Sequence, residues 1–256
     1  MSPSAGLSLS LDGGVTLYSN VGTAFETPTT TELANRPDGA GGFNPSLQPQ
    51  RTVSYELGAR RTRGQASAQF AVYRALVRDA LIPFEVPDVP GRQFFRNAGL
   101  TATSGVEVAA TAVVGRAVQL AASYTFTNPR FRSYTVGSAV LDGNLVPGVA
   151  QHRAELSGSW SVARHTLAAD LRHQSRTVVD DANTAWSPGY TLADVRVAPR
   201  PFDGRVARVR LSFGVQNLFG AEYNSSVVVN AFGRRYFEPG PGRAFHVGLT
   251  AEHPGR

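Results

Sequence analysis

Apolar and polar residues alternate along much of this chain. Val53, Tyr55, Leu57 and Ala59 interleave with Ser54, Glu56, Gly58 and Arg60. Val118, Leu120, Ala122, Tyr124 and Phe126 interleave with Gln119, Ala121, Ser123 and Thr125, and Ala154, Leu156, Gly158, Trp160 and Val162 with Arg153, Glu155, Ser157 and Ser159. Near the end, Val209, Leu211, Phe213 and Val215, then Phe245, Val247, Leu249 and Ala251, keep the same period. Successive strand side chains point to opposite faces, so each segment predicts a strand with one apolar and one polar face.

The pattern predicts strands at Val15–Phe25, Thr52–Arg61, Ala66–Ile82, Ser104–Val113, Ala117–Thr127, Gln151–Val162, Thr166–Gln174, Tyr190–Val197, Val206–Gln216 and Arg243–Ala251, with a partial strand at Leu7–Leu11. Most span about 9–11 residues, the length a tilted strand needs to cross a bilayer, whereas soluble strands run about 5–6. No helical periodicity stands out. Charges such as Glu56, Arg60, Arg153, Glu155, Asp170 and Arg172 fall mid-strand on the polar face, which a water-filled lumen accommodates.

The connections alternate short and long. Asp12–Gly14, Thr62–Gln65, Gly115–Arg116, Ala163–His165 and Ala198–Arg205 are short; Glu26–Arg51, Pro83–Gln93, Asn128–Ala150, Val178–Gly189 and Asn217–Gly242 are long. Tight turns at one end and long loops at the other are the signature of an outer-membrane barrel. Tyr18, Phe25, Tyr124, Phe126, Trp160, Tyr190, Phe213 and Phe219 fall in or near strand ends, where interfacial girdles sit, although aromatics are also good strand residues. Other all-β readings remain: a self-closing barrel of about ten strands acting as a pore or adhesin, and a soluble all-β binding module or enzyme.

Composition refines the picture. Charged residues make up 17% of the 256, below the roughly 25% of a soluble domain, and no run reaches the 18 apolar residues of a membrane helix. The net charge of +6 comes entirely from arginine, with no lysine. These arginines are scattered instead of clustered on one element, so no nucleic-acid partner is expected. Cysteine is absent, which excludes disulfides and thiolate metal sites. The five histidines (His152, His165, His173, His246 and His253) form no metal-binding pair, and Asp180-Asp181 brings too few oxygens together for calcium. No catalytic elbow or nucleotide fingerprint occurs, so no catalytic residue, cofactor or resident metal is expected. The amino end, MSPSAGLSLSLDGG, lacks the charged and apolar regions of a signal peptide, and none is expected in this chain.

Two stretches resemble the TonB-dependent outer-membrane receptors. In Leu17–Gly58, a strand leads into G-F-x-x-P-T-x-x-E-L-like and N-P-x-L-x-P-E-like segments and a strand S-Y-E-L-G. The matching positions are Gly22, Phe25, Pro28, Thr29, Glu32, Leu33, Asn44, Pro45, Leu47, Pro49, Ser54, Tyr55, Glu56, Leu57 and Gly58, with Gln50 in place of the usual Glu. The closing stretch resembles the family's last hairpin through Val215–Phe219 (with Asn217, Leu218 and Phe219), Tyr223, and the segment Gly233 to Gly242 including Pro239 and Gly240. Its final strand departs from the usual aromatic ending; Glu252, His253, Pro254, Gly255 and Arg256 follow instead.

The resemblance implies an all-β, antiparallel transmembrane barrel of roughly 22 strands with a plugged lumen, of which residues 1–256 supply about ten from the carboxy-terminal part, without the plug. It further implies a cell outer membrane location in a Gram-negative-type bacterium, contact with membrane lipid and lipopolysaccharide, and insertion by the barrel assembly machinery. Uptake of a scarce ligand such as a ferric siderophore would be energised by the TonB–ExbB–ExbD complex through the plug. Loop residues Arg92, Arg96, Arg130, Arg132, Arg234, Arg235 and Tyr236 are then candidate ligand contacts, arginine being suited to anionic chelates.

Overall fold

The computed structural model describes residues 2–38, 42–204 and 207–253. It has one dominant sheet, whose long strands are β1 (Ser4–Leu11), β2 (Val15–Glu26), β3 (Gln50–Arg63), β4 (Ala66–Phe84), β5 (Phe94–Val114), β6 (Val118–Ser133), β7 (His152–Val162), β8 (His165–Gln174), β9 (Tyr190–Pro199), β10 (Arg208–Gln216) and β11 (Ala244–Glu252). Each pairs antiparallel with its chain neighbour, and the short strand Phe202–Asp203 against β10 makes the twelfth. Among the described residues the meander is not closed: β1 pairs only with β2, and β11 only with β10.

The register sorts the side chains into two faces. One row of cross-strand partners runs Leu9, Leu17, Ala59, Phe70, Val108, Tyr124, Ala154; the next on the opposite face runs Thr16, Arg60, Gln69, Ala109, Ser123, Glu155, Arg172. The apolar face carries exposed Leu57, Leu156, Trp160 and Phe213, an arrangement that water disfavours and lipid satisfies. No helix among the described residues is long and apolar enough to cross a membrane, so any crossing uses these strands.

Short turns gather at one end, such as Gly64-Gln65, where a positive φ at Gly64 lets Arg63 pair with Ala66. The connections 27–49, 85–93, 134–151, 175–189 and 217–243 gather at the other. The asymmetry expected from the sequence is therefore present.

The alternation underestimates three strands. β4 continues to Phe84, β5 begins at Phe94 instead of Ser104, and β6 continues to Ser133. In these extensions loops cover the sheet, so Phe94, Ala98 and Phe131 are buried where alternation would have exposed one face. Pro83 and Pro129, ordinarily strand breakers, lie inside the extensions. The predicted start at Val206 lies outside the described residues; β10 is described from Arg208. A helical turn, α1 (Thr30–Ala34), also escapes the periodicity because it is only five residues long.

Candidate functional site

The long-loop end is a laced cap. Beyond β6, Thr135–Val136 and Ala139–Val140 form a small ribbon, and the chain folds back so that Phe131 donates to the Asn144 carbonyl and Val146 to that of Pro129. Ala80, Ile82, Ala98, Phe131, Tyr134 and Leu141 form its apolar core. Two further ribbons pair Thr177–Val178 with Trp186–Ser187 and Asn224–Val227 with Phe237–Pro239. A second cluster, Val179, Ala231 and Tyr236, joins the loops that carry them.

Asparagines lace the loops together. Asn183 accepts from the Leu145 amide (2.8 Å) and donates to the Leu145 carbonyl (2.9 Å). Asn230 accepts from the Asp181 amide (2.9 Å) and donates to the Pro83 carbonyl (2.9 Å). Asn97 exchanges the same pair of bonds with Gln48 (2.8 and 2.9 Å). Asn183 and Asn230 both adopt positive φ, which asparagine tolerates better than most residues.

At the centre, the buried Asp181 carboxylate accepts from the Tyr134 hydroxyl at 2.9 Å and pairs with Arg96 at 3.5 Å. The Arg96 guanidinium lies over the Phe84 ring at 4.3 Å. Burial is the main cause that holds the Asp181 carboxyl above the usual carboxylate range, and it also pushes the Tyr134 hydroxyl up. Asp181 Oδ1 and Arg96 Nε have no hydrogen-bond partner among the described residues.

The candidate ligand arginines separate in this frame. Arg92 donates to Asn35 Oδ1 (2.9 and 2.6 Å), Arg96 joins the Asp181 knot, and Arg130 donates to the Gly143 carbonyl (2.6 Å) and Asn128 (3.1 Å). Each ties loop to wall or loop to loop. Arg235 pairs with Glu85 at 3.5 Å, and Tyr236 is buried in the second cluster. Arg132 and Arg234 are exposed. The seven are not convergent around one cavity.

A depression of about 350 Å³ on the polar face lies just below the cap, lined by Arg153, Glu155, Arg172, His173, Tyr190 and Tyr223, among others. Below it a second depression, about 570 Å³, includes Glu155, Asp170, Arg172, Asp194 and Gln216. Arg172 pairs with Asp194 at 2.7 Å, and the Tyr190 and Tyr223 rings lie 4.8 Å apart. The mid-strand charges were visible in the sequence, but their convergence depends on register between strands distant in the chain.

The motif residues lie in caps, turns and strand faces around this end of the sheet. Thr29 caps α1: its hydroxyl accepts from the Glu32 amide while Glu32 accepts from the Thr29 amide at 2.6 Å. Phe25 and Tyr55 lie on the apolar face at the loop end of β2 and β3, Glu56 opposes Asn20 on the polar face, and Pro28 leads into the cap. Leu33 accepts from the amide of buried Asn44; Pro45 follows, and Leu47 is buried near it. Asn217, at positive φ, donates its backbone amide to the Asp194 carboxylate (2.8 Å) and exchanges two side-chain bonds with Ala221, fixing the turn that holds Leu218 and Phe219. Tyr223 lies over Gly240, and Gly233 takes a positive φ between the third ribbon's strands, which end at Pro239. A side chain at Gly242 would meet open space.

Comparison with known proteins agrees with this architecture. The ferrioxamine B receptor of Salmonella typhimurium (strain LT2) is 28% identical over 77% of this chain and 27% of its own length. The ferrichrome outer membrane transporter/phage receptor of Escherichia coli K12 is 25% identical over 86% of this chain and 28% of its own. The chain thus spans little more than a quarter of these relatives. Among solved structures, the unliganded ferric citrate transporter FecA superposes with a TM-score of 0.76 at 22% identity, covering 98% of this chain and 38% of that one. The siderophore receptor PiuA of Acinetobacter baumannii gives 0.76 at 18% identity, covering 97% and 35%. Residues 1–218 match the family described as TonB dependent receptor-like, beta-barrel, and the chain belongs to that family.

Proposed function

We propose that this chain is wall and cap of an outer-membrane receptor for TonB-dependent uptake of a ferric siderophore, forming the carboxy-terminal part of its barrel, with the plug and remaining strands supplied by sequence outside residues 1–256. The observation that carries the reading is the polar wall lying directly beneath the laced loops. Arg153 and Arg172 face the same depression as two tyrosine rings, which suits an anionic chelate with apolar edges. The names of the relatives, receptors for ferrioxamine, ferrichrome and ferric pyoverdine, support the ligand class. The location is the outer membrane of a Gram-negative-type bacterium, where the barrel assembly machinery inserts the strands and the TonB–ExbB–ExbD complex acts through the plug.

In this reading the segment makes and breaks no covalent bond. Arginines of the wall hold the ligand by charge and hydrogen bonding, and the cap keeps the loops registered above it. The test is radiolabelled iron uptake by iron-starved cells that carry the receptor containing this segment, offered a panel of ferric siderophores. Energy-dependent uptake of one of them, weakened about tenfold in apparent affinity by Arg153→Ala, is expected for one lost charge-assisted bond. Absence of uptake with every siderophore, while the receptor is present in the membrane, would refute it.

A further inference from the structure

The positive charge of this chain gathers at the short-turn end of the sheet. Among the described residues, nine arginines but only three carboxylates lie in a short turn or within three residues of a strand end on that side. Elsewhere in the described residues 14 arginines meet 16 carboxylates, so the positive excess lies wholly at this end. Two of the three carboxylates are already engaged: Asp203 pairs with Arg208 at 3.2 Å and Glu252 with Arg210 at 3.1 Å. Arg116, Arg164, Arg196 and Arg200 are exposed and make no side-chain hydrogen bond or ion pair among the described residues.

The tightest grouping lies where two neighbouring turns meet. The Arg200 amide donates to the Arg164 carbonyl at 2.5 Å, so the β7–β8 and β9–β10 turns are tied together. Two guanidinium stems thus leave adjoining backbone, and like charges held this close repel. Beside them is a depression of about 300 Å³, lined by Arg164, His165, Arg200 and Arg210 together with Ser161 and Thr166. Three arginines, a histidine and two hydroxyls face one space, and no carboxylate lines it. Such a set of donors suits carboxylate oxygens.

The register fixes the side from which an anion must come. Ser161, Thr166, Arg196 and Arg210 belong to the polar face, and Arg60 stands on the same face of β3. Lipid headgroups lie against the other face, so the anion approaches from water at the lumen mouth. Arg196 and Arg210 stand three and two residues inside their strand ends. At about 3.3 Å per residue and about 45° of tilt, that is roughly 5–7 Å within the mouth. A narrow, flexible chain reaches this depth, whereas a cross-linked polymer mesh does not. Successive short turns lie two strands, about 10 Å, apart, which an extended polypeptide crosses in about three residues. A run of acidic residues therefore meets Arg116, Arg164 and Arg200 in turn.

We propose that the short-turn rim is a docking surface for an acidic segment of a periplasmic polypeptide, whose carboxylates enter the depression between Arg164, Arg200 and Arg210 and run along the neighbouring turns. Charge supplies most of the binding, so association is fast and sensitive to salt. The inference goes beyond ligand uptake and concerns the end of the wall opposite the laced loops. It takes from the proposed function only the compartment that this end faces.

The experiment titrates the purified, detergent-solubilised receptor containing this segment into fluorescein-labelled octaglutamate and reads the anisotropy. Saturable binding is expected, weakening steeply between about 0.1 and 1 M salt as the screening length falls from about 10 to about 3 Å. Arg164→Ser/Arg200→Ser should weaken it about tenfold or more, the value of at least one charge-assisted bond, while Arg164→Lys/Arg200→Lys should retain most of it. Arg61→Ser/Arg63→Ser removes the same charge from the apolar face at the same end and should leave binding unchanged. Equal binding by Arg164→Ser/Arg200→Ser and wild type, or of octaglutamine and octaglutamate, overturns the site. Displacement of octaglutamate by disaccharide-peptides of the cell wall at lower concentration overturns it too, assigning the rim to the cell wall instead. The compartment is read separately, from Gln65→Cys in the β3–β4 turn and a membrane-impermeant maleimide applied to whole cells. Labelling of intact cells sinks the wall reading itself, whereas labelling only after the outer membrane is permeabilised, with no octaglutamate binding, sinks the rim alone.

Discussion

At the residue scale, the chemistry that matters most is one buried carboxylate. Asp181 is held by Tyr134, Asn230 and Arg96, yet burial outweighs these partners and raises its pKa above 3.8. A carboxyl with a raised pKa in the closed cap means that the closed state binds its proton more tightly than the opened one. Closure is therefore favoured increasingly as pH falls through the raised value, with the gain complete below 3.8, and it is lost as pH rises through the raised value. We expect hydrogen exchange at the Asp181 and Leu145 amides, corrected for its intrinsic pH dependence, to slow on going from neutral to mildly acidic solution. Asp181→Asn should flatten that dependence; an unchanged slope in the variant would assign it to another group. Tyr134→Phe removes a hydrogen bond to a buried charge and should ease opening of the loop by about 1.5–3 kcal/mol.

At the element scale, the strands depend on glycines that lie beneath aromatic rings. Tyr18 pairs with Gly58 and Tyr73 with Gly105, and in each case a Cβ would overlap the tyrosine ring. The Tyr73 hydroxyl lies 2.9 Å from Thr127 on β6, so its ring is fixed across three strands. Gly105→Ala should cost about 1–3 kcal/mol in the unfolding of a folded barrel, while Gly242→Ala, which meets nothing within 4 Å, should be close to neutral. The sequence reveals such strands well where lipid wets one side and water the other, because burial then follows period two, as in Val53 to Arg60. It reveals them poorly where loops cover the wall. Phe94 to Thr103 of β5 belongs to the sheet without alternating, and residues that cluster with its Ala98, such as Tyr134 and Leu141, come from a loop whose path no local pattern encodes. The arginine candidates show the same limit: charge was legible, but whether Arg92 faces a ligand or Asn35 depends on residues about sixty positions apart.

At the scale of the whole molecule, the sheet has two margins that are unpaired among the described residues. β1 exposes Leu7, Leu9 and Leu11 at 78, 58 and 46%, and β11 exposes Phe245, Val247 and Leu249 at 76, 71 and 69%. Each margin also leaves a row of backbone donors and acceptors without sheet partners. In a bilayer such groups cost several kcal/mol apiece, so an open meander cannot stand in lipid as it is. Closing on itself would join β1 to β11 in a barrel of about a dozen strands, whose lumen is narrower than that of a 22-stranded one. Joining further strands would instead keep the polar wall at the gentle curvature that leaves room for a plug. These alternatives differ in a measurable way. Refolded alone into detergent micelles, the chain is expected to give polydisperse oligomers by light scattering, as free margins pair between copies. The spread should narrow when a polypeptide carrying the preceding strands of the same receptor is present during refolding. A monodisperse, heat-modifiable monomer from the chain alone would show that β1 and β11 do meet, and would make the small pore the better description of residues 1–256.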